Sequence, residues 1–200
     1  MARWKSKNCK IETELMRWLK FSIIFLIFIG CKQPSQLGGA FTCDPSYDLT
    51  LALETDLKKK FQIGIPSTWK VNLYQDEVQS SIYVADTAVA LSNSILMDVT
   101  WVKDNIKFDK VFLLKNEQEE LFKKNIKVLS KEIEFQGKKA HYALYKGNKN
   151  NLPYQSLHSF IKIDDMSFLK VKIDLYGKEE TQERLCKALS IIDQIKILEL

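Results

Sequence analysis

Two histidines and four cysteines are the side chains in this chain best suited to chemistry, and their spacing limits what that chemistry can be. His141 and His158 each lie in a strand-like run, the first beside Tyr142 and the second beside Leu157. Local metal centres gather their ligands at short fixed spacings, and neither His-x-x-x-His nor Cys-x-x-Cys occurs. No Gly-x-Ser-x-Gly elbow is present, and beyond residue 53 the glycines stand singly, so no phosphate-cradling loop is expected. Asp164-Asp165 offers two carboxylates or a cation site, but a hairpin turn between apolar strands accounts for both. The expectation is solvated strand histidines, with no cofactor, no metal and no local catalytic group. An acid–base site built around His158 or His141 from residues distant in sequence is the alternative.

Cys43 and Cys186 are the two cysteines outside the N-terminal region. An exported protein meets oxidising surroundings in the periplasm. A bond between these two would close a loop of more than 140 residues and contribute about 4–5 kcal/mol in the chain-entropy picture. The other arrangement is a buried thiol at Cys186 and an exposed one at Cys43.

Export itself is written in Phe21–Gly30 (FSIIFLIFIG), an uncharged apolar run that ends at Cys31. At about 1.5 Å per helical residue it covers roughly half of a ~30 Å hydrocarbon core, the length of a signal-peptide h-region. Arg17 and Lys20 flank it, with Arg3, Lys5, Lys7 and Lys10 further out, and positive charge holds that end on the cytoplasmic side. Met16-Arg17-Trp18-Leu19-Lys20 would alone make a compact n-region, so Met16 is a second candidate start. The competing reading is a short core helix with a buried thiol.

Phe28-Ile29-Gly30-Cys31 resembles the lipobox of bacterial lipoproteins, with Phe28 where Leu is usual and Ile29 where Ala or Ser is usual. The resemblance implies that a diacylglyceryl group joins the Cys31 sulfur, that cleavage follows Gly30, and that the new amino group is acylated. More than one chain makes such an anchor durable, because each buried CH₂ contributes only ~0.8 kcal/mol. Lys32 follows the cysteine in place of Asp, which by similarity to some Gram-negative sorting rules favours the outer over the inner membrane.

Charge gives the same division. Residues 1–30 hold six of the 30 Lys/Arg and two of the 25 Asp/Glu, which leaves 24 basic and 23 acidic groups for the remaining 170 residues. Of the overall +5, four charges thus belong to the export signal, and a near-neutral domain has no electrostatic footprint for nucleic acid. The expected organisation is a signal peptide over 1–30, a lipidated cysteine and tether over 31–52, and a single domain over 53–200. Lys32–Ala40 lacks any period and contains Pro, Ser and a Gly pair, as a tether would.

Within the domain, Phe61–Pro66 alternates as a strand, and Lys70–Tyr74 and Ser81–Ala85 follow. Ile95–Val102 is apolar on both faces and reads as a central strand. Asn116-Glu-Gln-Glu119 has the form of a capping box, which predicts a helix over 116–126 with Leu121, Phe122 and Ile126 as its stripe. Two strand pairs come next, 128–135 with 140–145 about Gly137, and 155–163 with 168–176 about Asp164-Asp165. In the last strand Leu169, Val171, Ile173 and Leu175 face inward. Leu185, Ala188, Leu189, Ile192 and Ile195 then mark an amphipathic helix.

Consecutive antiparallel pairs with helices inserted argue for an α+β fold. FQIGIPSTWKVNLY (61–74) resembles the opening of PsbP-like domains, and Ile173-Asp-Leu-Tyr-Gly177 with the final helix resembles their close. The resemblance spans residues 55–198 and implies an α/β/α sandwich, an antiparallel sheet with helices on its faces. Fold alone assigns no activity. The stretch from Trp69 to Asp86 is the candidate recognition surface. There Trp69, Tyr74 and Tyr83 offer contact area with polar tips, unless Trp69 caps the core edge. The sequence thus favours a lipid-anchored, non-catalytic binding or assembly module of the cell envelope. Its expected partners are the membrane, through the anchor, and an envelope protein.

Overall fold

The structure, a computed structural model, describes residues 35–43, 50–105 and 107–198. The expected signal peptide, Cys31 and the choice between Met1 and Met16 lie outside them.

Strand β9 (Ser167–Tyr176) shows why the sheet forms. Leu169, Val171, Ile173 and Leu175 alternate along it and are buried to 1% exposure or less, which is the period-2 pattern of a strand with one face in a core. Its neighbours are β5 (Ile95–Lys103) and β8 (Leu152–Lys162), both antiparallel, with Ile173 opposite Met97 on one side and Leu157 on the other. The other strands are β3 (Lys70–Gln75), β4 (Gln79–Ala85), β6 (Ile126–Phe135) and β7 (Lys138–Lys149). They complete a seven-stranded antiparallel sheet of order β3-β4-β5-β9-β8-β7-β6. Two meanders build it. The first runs β3-β4-β5, the chain then crosses to the far edge, and β6-β7-β8-β9 returns to pair with β5. Tight turns set the second meander: Gln136 and Gly137, then Asn150 and Asn151, all take positive φ, as two-residue hairpin loops require.

A smaller sheet, β1 (Leu51–Thr55), β2 (Phe61–Pro66) and β10 (Lys196–Ile197), has the order β1-β2-β10. Phe61, Ile63 and Ile65 from β2 enter the main core. Helix α3 (Thr181–Ile192) joins that core through Leu185, Ala188, Leu189, Ile191 and Ile192. Helix α2 (Lys110–Phe122) lies over the opposite face of the large sheet. There Phe112 meets Phe160 of β8, ring centroids 4.9 Å apart, and Phe168 of β9 at 6.4 Å. The protein therefore has an α+β fold, an antiparallel sheet with a helix on each face.

Two sequence expectations change here. Residues 35–43, assigned to the tether, are structured: helix α1 (Gln36–Ala40) is capped by the Ser35 hydroxyl, which accepts from the Gly38 N–H at 2.8 Å. Leu37 and Phe41 enter the core, and Cys43 is joined by a disulfide to Cys186, 143 positions further along the chain. Apolar residues in a Gly-rich run carry no period, so the sequence could not announce this packing. Helix α2 also begins earlier than the capping box implies. Its N-cap is Asp109, whose carboxylate accepts from the Phe112 N–H at 3.0 Å, and Asn116 is interior, its amide bonded back to the Phe112 carbonyl at 2.8 Å. The predicted stripe of Leu121, Phe122 and Ile126 is exposed.

Candidate functional site

The second sheet face, the one beneath α2, is where polar groups gather. In β8 this face reads Tyr154, Ser156, His158, Phe160, and in β9 Phe168, Lys170, Lys172, Asp174, Tyr176. Aromatic rings stand at the ends and hydrogen-bonding groups in the middle. Strand pairing sets Ser156 opposite Asp174 and His158 opposite Lys172. Helix α2 then lowers Glu120 onto the row, and Glu120 is its one buried residue among those described.

The result is a connected network. Asp174 accepts at one oxygen from the Ser156 hydroxyl and the Tyr154 hydroxyl, both at 2.6 Å, and at the other from Lys172 Nζ at 2.6 Å. His158 Nε2 lies 3.0 Å from Ser156 Oγ and 3.8 Å from Glu120 Oε1. Glu120 accepts from Lys123 Nζ at 2.6 Å and from the Asn125 amide at 2.7 Å. Asn125 reaches it because residue 147 is glycine: a Cβ there would collide with Asn125 Oδ1.

Burial sets the protonation states. It pushes the His158 imidazole down from 6.5 to about 4, against the pull of the Glu120 carboxylate. His158 is therefore neutral at pH 7, and its approach to Glu120 is not an ion pair there. For Asp174 and Glu120 burial acts the other way. In Asp174 the Lys172 charge and three hydrogen bonds outweigh it, and in Glu120 the Lys123 and Asn125 bonds do, so both carboxyls sit below their ordinary range. The Asp174 carboxylate thus faces the Lys172 ammonium and the Glu120 carboxylate the Lys123 ammonium, so each buried carboxylate has its counter-charge.

This arrangement is poorly suited to nucleophilic catalysis. An activated serine gives its proton to a histidine whose other nitrogen holds an acid. Here the Ser156 hydroxyl donates to Asp174, Ser156 is fully buried, and Glu120 approaches the same nitrogen of His158 that faces Ser156. The group holds charge in place beneath a helix. His141 is buried too, on the same face, with Nε2 2.8 Å from Ser130 Oγ, and burial lowers its pKa. Both histidines are 6% exposed, a correction to the solvated state expected of them. Among the described residues no group of three or more His, Cys, Asp or Glu side chains could hold a metal.

Beyond the edge of α2 the second face opens into a shallow cavity of about 360 Å³, with Lys70, Asn72, Tyr83, Asp98, Lys172 and Asp174 around it. Two lysines, two aspartates and a phenol with an amide give it mixed polarity and no net sign. Tyr83 is 44% exposed and Tyr74 56%, and their rings meet edge-on at 5.3 Å. Burial and the Asp98 carboxylate raise the Tyr83 pKa, so its hydroxyl keeps its proton. Trp69 does not share this surface: it is 6% exposed, in the core cluster, with Lys187 Nζ 5.3 Å over its ring. Two of the three residues expected to make a recognition surface are together, and the third is on the opposite side of the sheet.

Sequence reasoning missed Glu120, Asp174 and Lys172 as partners of His158. The available signal was in β8, where neither face offers a charged residue between Leu152 and Phe160. A strand without a solvent face must be covered twice, and only α2 remained to cover it.

Neither the protein-family models nor the curated proteins match this chain. Solved structures do resemble its fold. Cyanobacterial PsbP (CyanoP) from Synechocystis sp. PCC 6803 superposes with a TM-score of 0.53 at 10% identity, covering 78% of this chain and 97% of that one. The Saccharomyces cerevisiae Ran-binding protein Mog1p gives 0.50 at 9%, covering 76% and 97%. LpqN of Mycobacterium tuberculosis, involved in cell envelope biogenesis, gives 0.50 at 13%, covering 84% and 100%. At these identities the likeness shows the fold, and that fold is PsbP/Mog1-like.

Proposed function

We propose that this chain is a lipid-anchored protein of the bacterial cell envelope, held in the outer membrane through Cys31, whose domain binds a protein partner and performs no catalysis. The open half of the second sheet face is the binding surface, with Tyr83 and Tyr74 as its aromatic anchors and Lys70, Asn72 and Asp98 as polar contacts. The observation that carries this reading is the division of that face. Under α2 both carboxylates are engaged by lysines, whereas beside it two tyrosines stand exposed over a charge-balanced shelf whose inner edge is the Lys172–Asp174 pair. Rigid aromatics with mixed polar neighbours are what protein interfaces use. A fold shared with an envelope protein such as LpqN is compatible with the assignment, and the apolar run before Cys31 supports the anchor.

The test is a photocrosslinking side chain at position 83 in intact envelopes. A discrete protein adduct is expected, absent from a probe at Asp165 on the β8–β9 turn, and weakened by Asp98→Lys. No adduct at 83, or one indifferent to Asp98→Lys, would remove the shelf as a binding surface. The enzyme reading around His158 makes a separate demand: His158→Gln must abolish a turnover that the wild-type chain shows.

A further inference from the structure

Helix α2 is inside out. Its buried side presents Glu120, while Val111 is 75% exposed, Leu114 56%, Leu121 52% and Phe122 88%. With Gln118, these positions recur at the three- and four-residue spacing of a single stripe, opposite the one that carries Phe112, Asn116 and Glu120. Soluble helices place such a stripe against a core. Here the core side is already taken by the ionic network, and the apolar stripe faces away from the sheet.

Charge says what the stripe suits. Lys107, Lys110, Lys115 and Lys124 are exposed and have no ion-pair partner among the described residues. Of the acids in and beside the helix, Asp109 caps its N-terminus, Glu117 pairs with Lys127 and Glu120 is buried against Lys123, which leaves Glu119 as the helix acid that is exposed with no ion pair among the described residues, against four such lysines. An apolar stripe of Phe, Leu and Val bordered by lysines is the composition of helices that lie in a membrane interface, with rings and aliphatic chains in the acyl boundary and ammonium groups at the phosphates.

We propose that the outer face of α2 lies on an anionic bilayer, with Phe122, Leu121, Leu114 and Val111 entering the headgroup region and Lys110, Lys115 and Lys124 contacting lipid phosphates. This deepens the anchored reading and rests on it for proximity: the acyl chains hold the domain at the surface, and α2 fixes which side faces the lipid. A weak second attachment then suffices, since the durable anchor presents α2 to the surface at high effective concentration.

A benzophenone side chain in place of Phe122 tests this on the full chain, bound to vesicles of phosphatidylethanolamine and phosphatidylglycerol. Illumination should give phospholipid adducts at position 122 and none from the same probe at Asp165. Lys115→Glu with Lys124→Glu should lower the yield roughly tenfold or more, as each lysine near an anionic surface is worth about fivefold in binding. Raised salt should lower it too. Adducts to a second copy, to another protein or to residues 1–30 would overturn the proposal, as would an acylated, vesicle-bound chain with no lipid adduct at 122. Intact mass reports acylation at Cys31 in the same sample. A chain without acyl groups would end the anchor reading, and adducts at 122 would still decide the face of α2.

Discussion

Lowering the pH should destabilise this domain through His158, and the size of the effect follows from its burial. The imidazole side chain is 7% exposed beneath α2, and the fold lowers its pKa from 6.5 to about 4. A depressed folded pKa gives stability that is fully present above 6.5 and is lost as the pH falls towards 4, because the unfolded chain takes the proton first. The whole shift corresponds to roughly 3 kcal/mol at about 1.4 kcal/mol per pH unit. About 1 kcal/mol of it is lost by pH 5.5 and about 2–3 kcal/mol by pH 4.5. Asp174 and Glu120 are also depressed; their stabilisation begins to be lost only as the pH reaches the ordinary carboxyl values, so it touches the acid end of this window and is common to wild type and variant. His141 is shifted in the same direction, so the wild-type curve contains both histidines. Urea unfolding followed by tryptophan fluorescence at pH 7.5, 6.5, 5.5 and 4.5, on wild type and on His158→Gln, isolates the His158 share. The variant should have the shallower curve, and the difference between the two curves should change by about 2–3 kcal/mol from pH 7.5 to 4.5. Parallel curves would show that the imidazole is hydrated or already charged, and the account of the buried network would fail.

Ile173→Ala, in the middle of β9 at 0% exposure, should cost about 2–5 kcal/mol in the same unfolding assay. Leu53→Ala, on a side chain 58% exposed, should cost far less. Replacing Cys43 and Cys186 together by Ala opens a loop whose ends are 143 positions apart and should lower stability by about 4–5 kcal/mol, which reduction of the wild type should match in urea. Gly147→Ala should cost about 1–3 kcal/mol by pushing Asn125 off Glu120. Combined with Asn125→Ala, the loss should be less than the sum of the two single losses, because both remove the same donor.

Where one local period governed burial, the sequence was enough to place the elements. The alternation of Leu169, Val171, Ile173 and Leu175 sets the phase of β9, and the stripe from Leu185 to Ile192 sets the face of α3. Asp164-Asp165 stands in the turn between β8 and β9, as a hairpin required. The polar network was illegible for a different reason. A glutamate in a Lys- and Glu-rich helix has the appearance of a solvent-facing residue, and nothing within α2 reports that a histidine strand passes beneath it. Asn116-x-x-Glu119 matched a helix start because the same residue types also bond back within a helix, as Asn116 does to Phe112. The exposed stripe misled through its own regularity. Leu121 and Phe122 have helical spacing, but periodicity says only that a helix has an apolar side, not what that side meets.

Mass spectrometry of the mature polypeptide, isolated from native membranes, tests most directly whether this domain is displayed from a lipid. The account predicts a chain that begins at Cys31 and carries both a diacylglyceryl group on its sulfur and an acyl group on its amine. A chain that begins upstream of residue 31, with a free Cys31 thiol, would contradict it.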